Sequence, residues 1–303
     1  MPYLQHPDFK LHYTSEGRGE TAIVLLHGNF GSQRHWSLFC DKLHPSFSAY
    51  AVDLRGCGDS EAPQTGYDIE TLSEDVFFFI NEMGIKSFHL VGHSLGGAVA
   101  QQFAATYPEQ ILSLTLVAPA PAEGLASLQK GGLLNKLYSP TSAFEVISKF
   151  GMAKPALTAT FKKTMPSLKN NIKLMKMLVD DAIKMDSKAL HGFYNTLKTW
   201  NGLPLLKRFS FPVLIIHGGL DKVVEVAPLE RMAKLISNCR LSQWRNVGHA
   251  PQLEKPDAFK HLVDNFILGS TIFTTPETTA PAKKTGLLAS IKGWLQKLLS
   301  KTG

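Results

Sequence analysis

The sequence has little cysteine, no long apolar run and no signal-like start. Its 303 residues include three cysteines, Cys40, Cys57 and Cys239, which lie too far apart for the paired spacing of a zinc or redox site. No stretch of about 18 uninterrupted apolar residues occurs, so the sequence predicts no membrane-spanning helix. The first residues lack a basic stretch followed by an apolar one, which disfavours a secretory signal. We therefore expect a cytoplasmic protein with reduced thiols.

Charged residues are also scarce, at 19% against 44% hydrophobic, so the chain can bury a large core. The net charge of +7 is unevenly distributed, because residues 123–208 carry +9 and residues 271–303 carry +4, which leaves −6 for the remainder. The basic residues of both segments are almost all lysines, and no nucleic-acid-binding module is recognisable. This asymmetry predicts an anionic partner, which is a membrane surface, an acidic protein or a charged substrate rather than nucleic acid.

Short apolar runs alternate with helical patterns up to residue 119 and again from residue 211. This alternation predicts an α/β fold, in which helices cover both faces of a mostly parallel sheet. Residues 123–208 interrupt the pattern with Lys, Leu and Met and predict a helical insertion. The predicted core therefore comprises residues 1–122 and 209–270, with the insertion between them.

The composition changes again after Gly269. Residues 271–286 are rich in Thr and Pro, which is typical of a linker. In residues 287–301 the apolar side chains form one stripe at helical spacing, with Lys292, Lys297 and Lys301 outside it. We predict a basic amphipathic helix that lies on an anionic membrane surface and is too short to cross it. Two alternatives stay open: the helix packs against the parent domain or a partner, or the segment is a disordered tail with chance periodicity.

The strongest chemical signal is Gly92-His93-Ser94-Leu95-Gly96, between a predicted buried strand and a predicted helix. Glycines two residues before and after Ser94 allow a sharp strand-to-helix turn that exposes the serine hydroxyl. That hydroxyl is a weak nucleophile, so it needs a base and an orienting carboxylate. Asp221 and His249 each follow a predicted strand, in the chain order that this kind of turn requires. We predict Ser94 as nucleophile, His249 as base and Asp221 as orienting group.

Two backbone N–H groups are predicted to stabilise an oxyanion. The N–H of Leu95 begins the helix that follows Ser94, where the helix dipole favours negative charge. The N–H of Asn29 lies in the loop after the predicted strand that ends near Gly28.

Five segments in the expected order carry a resemblance to a known family: HGNFGS at 27–32, DLRGCGDS at 53–60, GHSLGG at 92–97, HGGLD at 217–221 and GHAPQLEKP at 248–256. With them the chain resembles the α/β-hydrolase superfamily over nearly its whole length except the tail. The resemblance implies that residues 123–208 form a cap over the active site. It implies the roles given above for Ser94, His249 and Asp221, with Leu95 and Asn29 as the oxyanion hole. It also implies ester hydrolysis without a metal or organic cofactor.

The predicted function is that of a serine hydrolase of carboxylic esters, acting on an apolar acyl group or a lipid through an acyl-enzyme. Three alternatives stay open: an acyl thioesterase for carrier-protein or coenzyme A thioesters, a carbon–carbon bond or lactone hydrolase, and a ligand receptor on a hydrolase scaffold. The Met and Leu of the insertion suit an acyl channel or simple helix packing. Its positive charge indicates an approach to an anionic interface. The oligomeric state is not predicted.

Overall fold

The computed structural model describes residues 2–125 and 151–269. Its strands are β1 (Tyr3–Gln5), β2 (Lys10–Gly17), β3 (Thr21–Leu26), β4 (Phe47–Val52), β5 (Phe88–His93), β6 (Ile111–Val117), β7 (Val213–Gly218) and β8 (Cys239–Trp244). They form one sheet in the order β1-β2-β4-β3-β5-β6-β7-β8. The β1–β2 and β2–β4 pairs are antiparallel, and every pair from β4 to β8 is parallel. The predicted parallel sheet is therefore confirmed, with an antiparallel edge.

Helices connect these strands. In the described ranges they are α1 (Ser37–Cys40), α2 (Ile69–Glu82), α3 (Leu95–Thr106), α4 (Ala153–Thr164), α5 (Ile172–Ala182), α6 (Ser187–Thr199), α7 (Val226–Leu235), α8 (Pro251–Glu254) and α9 (Pro256–Ile267). Short 3₁₀ turns cover Gln33–Trp36, Pro108–Gln110, Pro166–Leu168 and Leu203–Arg208. None of the helices in the described ranges is long and apolar enough to cross a membrane.

Strand β3 shows why consecutive apolar residues are needed at the centre of the sheet. Its residues 23–26 are all fully buried, but they alternate between two apolar clusters on opposite faces. Val24 and Leu26 pack with α2 and α3, whereas Ile23 and Leu25 pack with Trp36 and the Phe259 side of α9. A strand covered on both faces has no side that meets water, which explains its continuous hydrophobic sequence.

The described chain between β6 and β7 contains α4, α5 and α6 in sequence, joined by turns and irregular segments. Met165, Met175 and Met185 from this segment are buried in the same apolar cluster as one face of the sheet. Residues 126–150, the predicted linker 271–286 and the predicted amphipathic helix 287–301 lie outside the described residues.

Candidate active site

The predicted site residues come together at the carboxyl ends of the parallel strands. Ser94 follows β5 directly, Asp221 lies three residues beyond β7, and His249 lies five residues beyond β8. Asn29 lies three residues beyond β3. Ligands of open parallel sheets bind at this edge, because the loops that leave it converge there.

Ser94 occupies a strained turn between β5 and α3. Its φ of 53° and ψ of −115° are rare for a residue with a side chain. A Cβ atom on Gly96 would lie 2.4 Å from the carbonyl oxygen of His27, and one on Gly92 would lie 2.4 Å from the carbonyl oxygen of Gly96. Both glycines are therefore needed for the turn. Strain of this kind costs about 1–3 kcal/mol and persists only where the surroundings impose it.

A hydrogen-bonded chain links the three predicted side chains. The Oγ of Ser94 lies 3.1 Å from Nε2 of His249, and Nδ1 of His249 lies 2.8 Å from Oδ2 of Asp221. The Asp221 side chain is fully buried, and its Oδ1 accepts the N–H groups of Val223 and Val224 at 2.7 and 3.1 Å.

Electrostatics fix the direction of this chain. Burial opposes ionisation of Asp221, but His249 and the two backbone N–H donors outweigh it and hold the pKa of Asp221 below its ordinary value. An ionised carboxylate only accepts hydrogen bonds, so Nδ1 of His249 carries a proton. Nε2 of His249 is then free to accept the hydroxyl proton of Ser94.

The backbone of His249 is held from two sides. Its N–H donates to the carbonyl oxygen of Thr164, at the end of α4, at 2.8 Å. Its carbonyl oxygen accepts the Nε2–H of His93 at 2.8 Å. Burial, and then the neighbouring His249 and His35, lower the pKa of His93 well below its ordinary value. His93 is therefore a neutral donor near neutral pH and positions the imidazole of His249 through the main chain.

Glu254 holds the same loop and was not singled out from the sequence. Its Oε1 accepts the N–H of Gly248 at 2.8 Å, and its Oε2 accepts the N–H of Ser167 at 3.1 Å. Burial raises the pKa of Glu254 despite these donors. One carboxyl group thus ties the His249 loop to the turn that follows α4.

The loop that carries Asn29 runs directly against Ser94. A Cβ atom on Gly28 would lie 2.8 Å from the Cβ of Ser94. His27 shapes the loop, because its Nδ1–H donates to the carbonyl of Gly28 at 2.7 Å and its Nε2 accepts the N–H of Leu54 at 3.0 Å.

The two predicted oxyanion donors are available in this arrangement. Among the residues that the structure describes, no protein acceptor takes the backbone N–H of Asn29 or that of Leu95. The side-chain Oδ1 of Asn29 instead accepts the N–H of Phe30 at 3.1 Å. The Leu95 N–H directly follows Ser94 in the chain, and the Asn29 N–H follows Gly28, which approaches Ser94 closely.

A compact group of possible metal ligands is satisfied by protein donors. In the described ranges, ligand atoms of His12, Asp53 and Asp59 lie within 4.8 Å of one another. The Asp53 carboxylate accepts His12 Nδ1–H at 2.7 Å and the N–H groups of Gln33 and Asp59 at 2.5 and 3.0 Å. A Cβ on Gly58 would lie 2.3 Å from this carboxylate, so the group fixes the tight turn at 53–60.

Comparison with known proteins agrees with this geometry. A family model described as alpha/beta hydrolase fold matches residues 21–256. Human monoacylglycerol lipase ABHD6 is 27% identical over 282 residues, which are 88% of this chain and 81% of the lipase. The 2-hydroxy-6-oxo-6-phenylhexa-2,4-dienoate hydrolase of Comamonas testosteroni is 28% identical over 290 residues, covering 86% of this chain and 92% of the hydrolase.

Among solved structures, the enol-lactonase from Burkholderia xenovorans LB400 matches with a TM-score of 0.77 at 22% identity, covering 88% of this chain and 100% of the lactonase. This likeness supports the fold. The family and the hydrolase names of the relatives confirm the predicted enzyme class, a hydrolase of ester bonds. The chain belongs to the α/β-hydrolase superfamily.

Proposed function

We propose that this protein is a serine hydrolase that cleaves carboxylic esters through an acyl-enzyme on Ser94. The observation that carries the proposal is the buried hydrogen-bonded chain from Asp221 through His249 to Ser94. A serine, an imidazole and a carboxylate in this geometry can move one proton back and forth without any other group.

The first half of the reaction transfers the acyl group. Oγ of Ser94 attacks the ester carbonyl carbon while its proton passes to Nε2 of His249. The N–H groups of Leu95 and Asn29 stabilise the resulting oxyanion, and one such donor is worth about 10²–10³ in kcat. The bond to the alcohol oxygen then breaks, and His249 gives its proton to the leaving alcohol.

The second half releases the acid. His249 takes a proton from a water molecule, and the resulting nucleophile attacks the acyl carbon. The bond to Ser94 breaks as His249 returns the proton to Oγ. The ionised Asp221 stabilises the imidazolium in both halves and keeps the ring in one tautomer.

We propose an apolar acyl group or a lipid as the substrate. Helix α4 ends beside His249, and Met165, which follows it, belongs to the apolar cluster of the sheet. A buried apolar side chain of the insertion thus follows directly after the residue that binds the main chain of His249. A relative of similar length is named as a monoacylglycerol lipase, which supports the same class of substrate.

The test is a series of initial rates on p-nitrophenyl esters from acetyl to palmitoyl. We expect the highest kcat/KM at long chains and a loss of at least about 10⁴ in Ser94→Ala. Ser73→Ala is the matched control, because Ser73 is also buried but its Oγ has no partner in the described structure. A short-chain optimum would contradict the acyl channel, and an absence of Ser94-dependent turnover on every ester would contradict the function. Parallel assays on acyl thioesters and lactones separate the other reactions.

We also propose that residues 287–301 attach this cytoplasmic protein peripherally to an anionic membrane. The support is the apolar stripe and the lysines of this segment. In the full chain, Leu295→Glu/Leu298→Glu should abolish co-sedimentation with phosphatidylglycerol vesicles and leave turnover of soluble esters unchanged. Ser290→Glu/Gln296→Glu adds the same charge outside the stripe and should weaken sedimentation much less. Equal sedimentation of the two double variants would contradict the attachment.

A further inference from the structure

A groove of about 320 Å³ lies between α4 and α5 of the helical insertion. Its apolar lining comes from Ile172, Met175 and Val179 of α5. Four lysines line it as well, two on α4, one in the connection and one on α5, namely Lys154, Lys162, Lys169 and Lys176. The groove thus combines an apolar lining with four ammonium groups.

The charge of this groove is only partly balanced. Asp180 is the acidic residue in the lining, and it pairs with Lys154 at 3.0 Å and with Lys176. The hydrogen bonds from Lys176 and Lys154 lower the pKa of Asp180 to about 2. Within the described part of the chain, Lys162 and Lys169 form no ion pair. The lining therefore carries four positive charges against one negative charge.

The apolar part of the groove reaches the surface. Ile172, the first residue of α5, is 82% exposed, and Met152, just before α4, is 53% exposed. Lysine stems cover apolar surface while their charged ends stay in water, so lysines beside exposed aliphatic groups suit the boundary between headgroups and acyl chains. An acidic protein surface would match the lysines but would leave Ile172 facing polar groups.

The groove is connected to the candidate active site by one helix. Lys154, Thr158 and Lys162 line the groove at a spacing of four residues on α4. The same helix ends at Thr164, whose carbonyl oxygen accepts the N–H of His249. At about 1.5 Å per residue, the 12 residues of α4 span roughly 18 Å. A membrane on the groove would therefore lie within one helix length of the base.

We infer that this groove docks on a bilayer of anionic phospholipid and brings the active site to membrane-borne ester. Docking itself is independent of chemistry, whereas its effect on turnover rests on the function proposed above. It is also distinct from attachment by residues 287–301, because its contact residues lie on α4 and α5.

The direct test places a tryptophan in the groove of the full chain. In Ile172→Trp, vesicles of brominated phosphatidylglycerol should quench fluorescence more than in the unchanged protein, and brominated phosphatidylcholine should not. Leu235→Trp is the control, because Leu235 is 48% exposed on α7, outside the insertion. Trp36, Trp200 and Trp244 are buried. These three and Trp294 are present in every sample, so they contribute equally to all measurements. Equal quenching of the two variants would overturn the docking surface.

A second test removes charge without touching the active site. Lys162→Gln/Lys169→Gln should lower kcat/KM at least fivefold on a long-chain ester carried in phosphatidylglycerol vesicles, and leave turnover of soluble p-nitrophenyl acetate within twofold. Lys86→Gln/Lys234→Gln removes the same charge from exposed sites elsewhere and should change neither rate. Equal losses in the two double variants would overturn the inference. If Ser94-dependent turnover is absent but the fluorescence of Ile172→Trp is quenched, the function fails and the docking surface stands.

Discussion

Charged groups in the sheet region differ in burial from the lysines that line the groove of the helical insertion. In the sheet region Arg55 and Asp75 are both buried and joined by two hydrogen bonds, and Asp53 is buried among three donors. In the insertion, Lys162 and Lys169 are exposed and unpaired within the described residues. Removing one partner of a buried ion pair costs much folding stability. An exposed lysine contributes little to stability and stays available to bind an anionic ligand. The sheet therefore keeps its charges in fixed buried pairs, whereas these two lysines of the insertion stay available to a ligand.

The largest effect should come from breaking the sheet side of this contrast at Gly96. Gly96→Ala places a Cβ 2.4 Å from the carbonyl oxygen of His27 and 2.5 Å from that of Leu26. The main chain cannot move aside easily, so we expect the free energy of unfolding to fall by at least about 3 kcal/mol. We also expect Ser94-dependent turnover to be lost. Urea unfolding and ester assays measure both. Gly84→Ala, where φ is +66° but no atom lies within 4 Å, should cost only about 1 kcal/mol and keep full turnover.

Asp221→Asn should have the next largest effect, a loss of turnover. An amide can donate to His249 and stabilise the wrong tautomer, so kcat should fall by about 10³–10⁴ with little change in KM. Steady-state kinetics on a soluble ester give both constants. Asp180→Asn makes the same change in the insertion and should leave kcat within twofold. A higher KM with an unchanged kcat would contradict the role of Asp221.

Glu254→Gln tests the junction of the two regions. The amide keeps one acceptor oxygen for three backbone donors, at Gly248, Ala250 and Ser167, so the loop of His249 should loosen. We expect kcat to fall roughly tenfold and the free energy of unfolding to fall by about 1–3 kcal/mol. Glu225→Gln, at an exposed residue before α7, is the control. An unchanged kcat would show that these bonds do not position His249.

The pH dependence of folding stability should show the lowered pKa of His89, which lies on β5 of the sheet. Burial lowers the pKa of His89 from 6.5 to about 4, so on acidification the unfolded chain takes up this proton first. The stabilisation is complete above pH 6.5 and is lost as pH falls from 6.5 to about 4, by up to about 1.4 kcal/mol per pH unit. His89→Gln takes up no proton, so its urea midpoint should depend less on pH in this range. Equal slopes for the two proteins would contradict the shift.

The smallest effect is expected for Asp180→Asn on stability. Its pairs with Lys154 and Lys176 involve largely exposed ammonium groups, so the melting temperature should change by less than about 2 °C. The groove would gain positive charge, so binding to phosphatidylglycerol vesicles should strengthen and become more sensitive to salt. Weaker binding would show that Asp180 orders the groove rather than reducing its charge.

Local sequence predicted the strand-end features of the site because neighbouring residues form them. The turn at Ser94 depends on Gly92 and Gly96, which lie within a few residues, and α3 begins at Leu95 as expected. The order of Asp221 and His249 after successive strands placed them at one edge of the sheet. Their hydrogen-bonded arrangement was beyond the sequence, because it depends on how β5, β7 and β8 align.

Other contacts leave little trace in residue type. His249 donates its N–H to the main-chain carbonyl of Thr164, and any residue could supply that oxygen. The bond from His93 to the carbonyl of His249 joins residues 156 positions apart, and His93 was read only as part of the turn. Glu254 lies inside a recognised segment, but its partner Ser167 comes from the insertion. Such main-chain partners are set by tertiary packing, which a single sequence does not specify.

The hydrogen bond between His249 and Thr164 also restricts how this enzyme can be re-engineered. One way to re-engineer the protein is to exchange its insertion for that of another family member. In such a chimera, the helix that replaces α4 would have to place a main-chain carbonyl where that of Thr164 lies. A shift of one residue along the helix would turn this carbonyl by about 100°. Grafts are therefore best joined after Ser167, so that the recipient keeps its own Thr164 and Ser167 contacts and only the segments beyond them are exchanged.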